Sequence, residues 1–506
     1  MPGSWMTAEE AEAARIYDFR NAGGLVDAIL VGQNKAGRYI GYRGDGNTMV
    51  VAPPGSGKGQ GFVVPNCVFY QGSMVVVDPK GENAAMTARH RRENLGQEVH
   101  VIDPFGLSGK PTSCFNPLEW LKTTDPNYFM PDCDLIARAL VASETPQYTH
   151  FSDEAVNLVR GLILYLFAHE PHNLNLNRLY DLAFGDRRYW LAVFELMAES
   201  EHGNPDVQRM VRSAGNWYLG LEPKAQDIHR GTAQKNLQWL AGVAIPKVVQ
   251  TSDFDLRQLK SRPTTVYVCI PGESRELYRP YVRCFVTLAL AGMYRIRGVP
   301  PAPVQFMCDE FFTTVGHLPI VENAIGDMRG YGARFAFVFQ FLSQLKTLYP
   351  QNWTAFEGSC GATLYIGVEK EDAKHVSERL GESETLTQPG GTFFAGGDVV
   401  SKAPQYRREP LLDPQGVGRL GNKRTVVFMQ HQNPLMCDRV SAHSDPRLSP
   451  FLDENPMRKP PAALPGAIAP MLGTPGQVRT VDDYLKQKGD KVSKISEALD
   501  KILGDG

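Results

Sequence analysis

No stretch of this chain stays apolar for the roughly 18 residues that a bilayer-spanning helix needs. The longest candidate, Leu158 to Ala168, is broken by Arg160 and Gly161. No signal peptide is visible at Met1-Pro2-Gly3-Ser4, so the expectation is a soluble chain or a soluble piece of something longer. A global basic field is missing as well: 53 Lys and Arg stand against 55 Asp and Glu, a formal charge of −2. Any DNA contact must therefore come from local patches or from repetition around an oligomer. The cysteines Cys67, Cys114, Cys133, Cys269, Cys284, Cys308, Cys360 and Cys437 form no C-x-x-C pair, which argues against metal ligation. Several lie inside apolar runs, a pattern of reduced, buried packing in a cytoplasmic compartment. The histidines show no ligand spacing and no Ser/His/Asp arrangement. Internal repeats are not apparent.

What is present is globular. An apolar fraction of 42% with 21% charged residues is that of a soluble protein, and 506 residues exceed one simple core. Residues 1–46 read as a lead-in segment with one short helix near Ala8 to Arg20. Apolar runs then alternate with helical stretches: Asn47–Val51, Ser73–Val77 and Val99–Asp103 as strands, Ala84–Leu95 as a helix closed by Gly96. Between Met130 and Leu259 strand-like runs vanish and helical periodicity dominates. Ser152 before Asp153-Glu154 reads as a helix N-cap there. Alternation resumes with Thr265–Ile270, the helix Glu276–Arg297, and strands Val304–Cys308, Arg334–Phe339, Thr363–Val368 and Arg424–Met429. Apolar strands separated by helices predict an α/β fold with a mostly parallel sheet covered on both faces. The divisions expected are 47–129 and 260–445 for the two parts of a nucleotide-binding domain, and 130–259 for an inserted all-α domain. A Pro-rich linker over 446–478 and an amphipathic helical tail over 479–506 follow.

The most informative segment is Ala52-Pro53-Pro54-Gly55-Ser56-Gly57-Lys58-Gly59, which leaves an apolar strand and runs into Gln60-Gly61-Phe62-Val63-Val64. Strand, small-residue loop and helix form a phosphate cradle, with backbone N–H groups and the helix N-terminus facing the anion. Lys58 supplies a point charge for the outer phosphates. Two positions depart from a P-loop: Ala52 stands for the first Gly, and Gly59 for the Ser or Thr whose hydroxyl binds Mg²⁺. An ordinary Gly-rich turn is the alternative.

A partner carboxylate is expected at a neighbouring strand end. Asp309 holds that place after Val304–Cys308, as a Mg²⁺ ligand directly or through water, and Glu310 can orient or deprotonate the attacking water. Plain helix capping is the other reading of this pair. Gln340 caps the next strand, as a γ-phosphate sensor or a glutamine satisfied by backbone. Arg329, in a glycine-flanked turn, reads as a finger toward a neighbouring subunit's nucleotide or as a solvated surface arginine; Arg334 lies beside it. Asp78-Pro79-Lys80-Gly81-Glu82 puts Asp78, Lys80 and Glu82 at the end of a buried strand, costly unless they serve a site or a crevice; an ordinary polar turn remains open. Arg89-His90-Arg91-Arg92 reads as a solvated helix face.

Together these motifs, with Phe339-Gln340 and Gln344-Leu345, resemble the type IV secretion coupling proteins, the TraG-like conjugative-transfer ATPases, over about residues 40–445. The resemblance implies a RecA-like P-loop core, an all-helical domain, homo-hexamer assembly and an N-terminal membrane anchor. It places the protein at the cytoplasmic face of the bacterial inner membrane. That anchor is not in this sequence, so it was removed or is a separate subunit. Carried over by position, Pro54, Gly55, Ser56, Gly57, Lys58, Gly59 and Gln60 bind ATP, Asp309 the Mg²⁺, Glu310 the water, Gln340 the γ-phosphate and Arg329 a neighbour's nucleotide. The implied activity is ATP-driven delivery of a relaxase–DNA complex or protein effectors to a type IV secretion channel. An FtsK-like DNA translocase, or a recruitment platform that binds nucleotide without significant hydrolysis, are the alternatives.

Overall fold

Runs such as Met74–Val77 are apolar at every position and buried on both faces, as a strand in a helix-covered sheet must be. In the computed structural model, residues 4–7, 10, 16–18, 26–141, 149–388, 391–395, 398–402 and 405–458 are described. The strands are β1 (Ile16–Asp18), β2 (Ile29–Gln33), β3 (Tyr39–Tyr42), β4 (Asn47–Val51), β5 (Met74–Val77), β6 (Glu98–Ile102), β7 (Thr264–Val268), β8 (Val304–Cys308), β9 (Ala333–Phe339) and β10 (Cys360–Ile366). After them come β11 (Glu382–Gln388), β12 (Gly391–Ala395), β13 (Asp398–Lys402), β14 (Gln405–Pro410), β15 (Arg424–Met429) and β16 (Leu435–Asp438). One sheet runs β1-β3-β2-β16-β15-β10-β4-β9-β8-β5-β7-β6. From β10 to β6 every neighbour pair is parallel. The flank from β15 to β1 is antiparallel. Two separate ribbons, β11–β14 and β12–β13, follow the helix Lys370–Leu380.

Between β6 and β7 lie the helices Phe129–Val141, Thr149–His169, Leu176–Phe184, Arg187–Ala198, Pro205–Leu219 and Pro223–Leu237. Their starts are chemically specified. The side chains of Asn175, Asp186 and Asn204 accept from the first-turn amides of Arg178, Tyr189 and Val207. Ile136, Leu140, Val159 and Phe194 of these helices share one buried cluster with Val77, Val268 and Phe306 of the sheet. The helix Arg275–Arg295 joins the two: Tyr281 Oη donates to the Phe115 carbonyl (3.1 Å) and Arg283 Nε to the Ala139 carbonyl (2.8 Å).

Several expectations need correction. Ile16–Asp18, placed in a lead-in helix, is a strand paired with β3; the rest of that stretch lies largely outside the described residues. The lead-in segment also supplies β2 and β3, which close the antiparallel flank. Ser152 lies inside its helix, which begins at Thr149. Arg424–Met429 is antiparallel to β10. Residues 446–456 are packed, because Leu448 is buried and Asp453 pairs with Arg89 (2.5 Å) and Lys110 (2.8 Å). Residues 457–506 form a second unit, of which Met457 and Arg458 are described, so the tail helix and most of the linker fall outside. Arg89-His90-Arg91-Arg92 is not a solvated face. Arg91 is fully buried and donates to the carbonyls of Cys67 (2.7 Å), Tyr70 (2.8 Å) and Gly72 (2.8 Å), as well as to Thr265 and Gln97. It caps the C-terminal carbonyls of the helix Val64–Phe69, which repays the burial of its charge.

Candidate functional site: a nucleotide pocket at four strand tips

β4, β9, β8 and β5 are adjacent and parallel, so their carboxyl ends share one edge of the sheet. Ligand crevices of parallel α/β sheets open at that edge. β4 ends in the 52–59 loop, β9 in Gln340, β8 in Asp309-Glu310 and β5 in Asp78-Pro79-Lys80. Four motifs scattered over 290 positions of sequence thus meet on neighbouring strands.

The loop is built by its glycines. Gly55 (φ 78°) and Gly57 (φ 82°) take left-handed backbone that a side chain disfavours. A Cβ on Gly57 would also come 2.7 Å from the Arg439 guanidinium. The Ala52 amide donates to the Phe339 carbonyl (2.9 Å), and the Ser56 amide folds back to the Pro53 carbonyl (3.1 Å). After Lys58 the chain winds a wide π-type turn over Gly59–Val63 before the helix Val64–Phe69. Such turns concentrate at functional sites. Behind the loop, Arg439 donates to the Asn422 carbonyl (2.6 Å).

Lys58 Nζ stands 3.5 Å from Glu310 Oε1, with both side chains largely buried. Glu310 sits in left-handed backbone (φ 55°) and also accepts from Arg275 Nη1. Burial pushes its carboxyl up, but the Lys58 ammonium and the Arg275 guanidinium outweigh that and hold it below the usual glutamate range. Asp309 is pushed up to about 6, first by burial, with Lys58 opposing. Its Oδ1 is buried without a hydrogen-bond partner, and so is the Ser56 hydroxyl. Asp78 accepts from the Ala84 amide (2.9 Å) and Asn83 Nδ2 (3.2 Å), yet burial still pushes it up to about 7. Lys80 is exposed and close enough to favour the Asp309 carboxylate. Glu82 accepts from Asn455 Nδ2 (3.1 Å), and its charge adds to the upward push on Asp78. The Gln344 side chain accepts from the Gln340 amide (2.8 Å), anchoring Gln340 beside the loop.

Arg329 is not part of this pocket. It is exposed before β9, at the opposite end of that strand from Gln340, and borders a cavity of about 200 Å³ with Asp45, Asn47, Ser359 and Gln430. Arg334 is buried and structural, donating to Gln305 (2.8 Å) and to the carbonyls of Gly44 (2.6 Å) and Asp27 (2.8 Å). Two site residues escaped the sequence reading, Arg275 and Arg439. Neither belongs to a spaced motif; each is identified only by what it touches.

The residues present fit a nucleoside triphosphate with a divalent cation. Gly55 and Gly57 take the left-handed backbone of a tight anion-cradling turn, Lys58 is paired at 3.5 Å with Glu310, and Asp309 presents an orphaned buried oxygen. Gly59 offers no hydroxyl, so a cation here would lean on Asp309.

Parallel sheet, glycine loop and acidic strand tip define a P-loop NTPase core. A family model described as "Type IV secretory system Conjugative DNA transfer" matches residues 4–462. The chain belongs to this family, the type IV secretion coupling proteins. It is 27% identical over 425 residues to Protein VirD4 of Rhizobium rhizogenes, covering 81% of this chain and 60% of that protein. It is 26% identical over 405 residues to the conjugal transfer protein TraG of Escherichia coli, covering 76% and 63%. The chain thus spans about three fifths of the length of the curated relatives it matches. Among solved structures, unbound TrwBdeltaN70, a bacterial conjugative coupling protein, superimposes with a TM-score of 0.62 at 15% identity, over 87% of this chain and 94% of that one. TrwB in complex with ADP and Mg²⁺ gives 0.58 at 16% identity, over 79% and 87%. At that identity the likeness shows the fold, which is the expected RecA-like α/β core.

Proposed function

We propose that this chain is the motor part of a type IV secretion coupling protein, hydrolysing ATP to receive a relaxase–DNA complex or protein effectors and pass them to the secretion channel. The observation that carries it is the meeting of the 52–59 loop, Gln340, Asp309-Glu310 and Asp78 on adjacent strand tips. The relatives support it: VirD4 of Bartonella quintana is a type IV secretion system-coupling protein, TraG of Escherichia coli is a conjugal transfer protein, and TrwB is seen with ADP and Mg²⁺.

In this reading the amides of Gly55, Gly57, Lys58, Gly59 and Gln60 and the Lys58 ammonium hold the phosphates, with Pro54 shaping the turn that presents them. Asp309 holds Mg²⁺, and Ser56 can turn its free hydroxyl to either. Bound MgATP supplies the phosphoanhydride whose cleavage drives transport. Lys58 exchanges Glu310 for phosphate, which frees one carboxylate oxygen to orient water. Gln340 senses the γ-phosphate next to the loop. Arg329, at the far edge of its own sheet, serves the nucleotide of a neighbouring protomer in a homo-hexamer. The helices between Met130 and Leu259 receive cargo, and the assembly works at the cytoplasmic face of the inner membrane.

The test is Lys58→Ala. Nucleotide affinity should fall at least about 100-fold and turnover should vanish, with the unfolding midpoint within about 2 °C of the parent. Unchanged turnover rejects the site. Tight binding by the parent without turnover, in assembled particles with single-stranded DNA, turns the reading to a recruitment platform.

A further inference from the structure

Glu310 is gripped by a cation from outside the four motifs. Arg275 Nη1 donates to its Oε2 and to Thr313 Oγ1 (2.8 Å), while Arg275 Nε is fixed on the Gly272 carbonyl (2.5 Å). The Glu310 backbone is held in left-handed conformation, and the carbonyl accepts from Thr313 Oγ1 (3.2 Å) and Thr314 Oγ1 (3.0 Å). Its carboxylate therefore lies where two cations put it: Lys58, which phosphate would claim, and Arg275, which it would not. Arg275 is the first residue of the helix Arg275–Arg295, about 30 Å long with Pro280 in its second turn. Farther along, Arg283 bonds the Ala139 carbonyl, and Arg295 pairs with Asp132 (2.7 Å) while lying 3.6 Å over the Tyr128 ring. Ala139 and Asp132 belong to Phe129–Val141, the first helix of the all-helical segment.

We infer that Arg275 is a positioning residue for Glu310 and that its helix makes Glu310 placement depend on the helical segment. The inference rests on the proposed function, because it names how cargo at that segment reaches the pocket. One continuous helix, with Pro280 near its start, carries a contact at each end and needs no wire of side chains between them; a small shift of Phe129–Val141 against it moves the Arg275 guanidinium, and with it the carboxylate. Thr313 shares the guanidinium, so the arginine cannot swing away without losing two acceptors.

The experiment compares the parent chain with Arg275→Gln and Arg275→Lys. In the nucleotide-free protein, hydrogen exchange over 310–314 should rise about tenfold in Arg275→Gln and by less in Arg275→Lys. Affinity for a non-hydrolysable ATP analogue, titrated directly, should stay within about threefold in both variants. The kcat of Arg275→Gln should fall about 30-fold with KM within about threefold, and Arg275→Lys should regain much of that loss. The analogue should change exchange over 129–141 in the parent and in Arg275→Lys but not in Arg275→Gln. A glutamine variant with parental exchange over 310–314 overturns the positioning role, whether or not the chain turns over ATP. A lysine variant as impaired as the glutamine one, with both midpoints lowered, makes Arg275 merely structural. A preserved response over 129–141 in Arg275→Gln overturns the coupling. Failure of the parent to bind the analogue sinks the proposed function instead, and leaves the 310–314 comparison to decide the positioning role.

Discussion

The two ends of β4, β5, β8 and β9 are built on opposite principles. At the amino ends buried polar groups are matched: Asn47 accepts from the Phe335 amide (2.9 Å), Ser73 bonds the Arg262 carbonyl (3.1 Å) and the Thr264 amide (3.0 Å), and Arg334 is spread over three acceptors. The Thr48 hydroxyl is an exception. At the carboxyl ends the matching fails. Asp309 keeps an unpartnered oxygen, Ser56 an unpartnered hydroxyl, and Asp78 is buried against its ionisation. Since an unmatched buried polar group costs free energy, the same strands are stable at one rim and poised at the other. Stored mismatch at one rim is what a ligand can relieve.

Substitutions can break this contrast. Glu310→Gln has the largest expected effect: turnover falls about a thousandfold, equal to about 4 kcal/mol of barrier, while analogue binding persists. Steady-state kinetics beside a binding titration check it, and near-parental kcat would remove Glu310 from the chemistry. Next comes Arg334→Ala at the opposite rim. It strands Gln305 and two carbonyls and should cost about 3 kcal/mol in urea unfolding, with nucleotide affinity within about threefold. If affinity collapsed instead, the rims would not be separable. Smallest is Asp78→Asn, which should stabilise the nucleotide-free chain by about 1–2 kcal/mol at pH 8.5. The sign follows from burial. A carboxyl raised to about 7 in the fold stays protonated there while the unfolded chain already ionises it above about 4, so stability falls as pH rises from about 4 to 7 and stays low above that. The gain should therefore vanish by pH 5. A loss of stability at pH 8.5 would show that the Ala84 and Asn83 bonds outweigh the charge.

The carboxyl rim was the legible one. Val304–Cys308 is apolar at every position but Gln305 and then turns abruptly to Asp309-Glu310, so strand and tip announce each other. The 52–59 loop carries its conformation in its glycines. The amino rim and the antiparallel flank were harder to read, because their meaning lies in pairing. β2 and β16 are joined across the whole sequence, and Ile29–Gln33 alone does not reveal its partner. Arg91 misled because a basic run on a helix is normally solvated; only the fold brings the Cys67, Tyr70 and Gly72 carbonyls to it. Arg275 follows Pro271-Gly272-Glu273-Ser274, where no apolar period points at Glu310. The ribbon that opens with Glu382-Ser383-Glu384 lacks the apolar alternation that signals a strand.

One consequence concerns biosynthesis. β5 lies between β7 and β8, and both emerge from the ribosome only after the helices that interrupt the sheet. At ordinary translation rates of 5–20 residues per second, the roughly 190 residues from β5 to β7 keep both of its edges bare for roughly 10–40 s. A nascent Met-Val-Val-Val ribbon with open edges invites pairing with a stranger, the exposure that chaperones exist to cover.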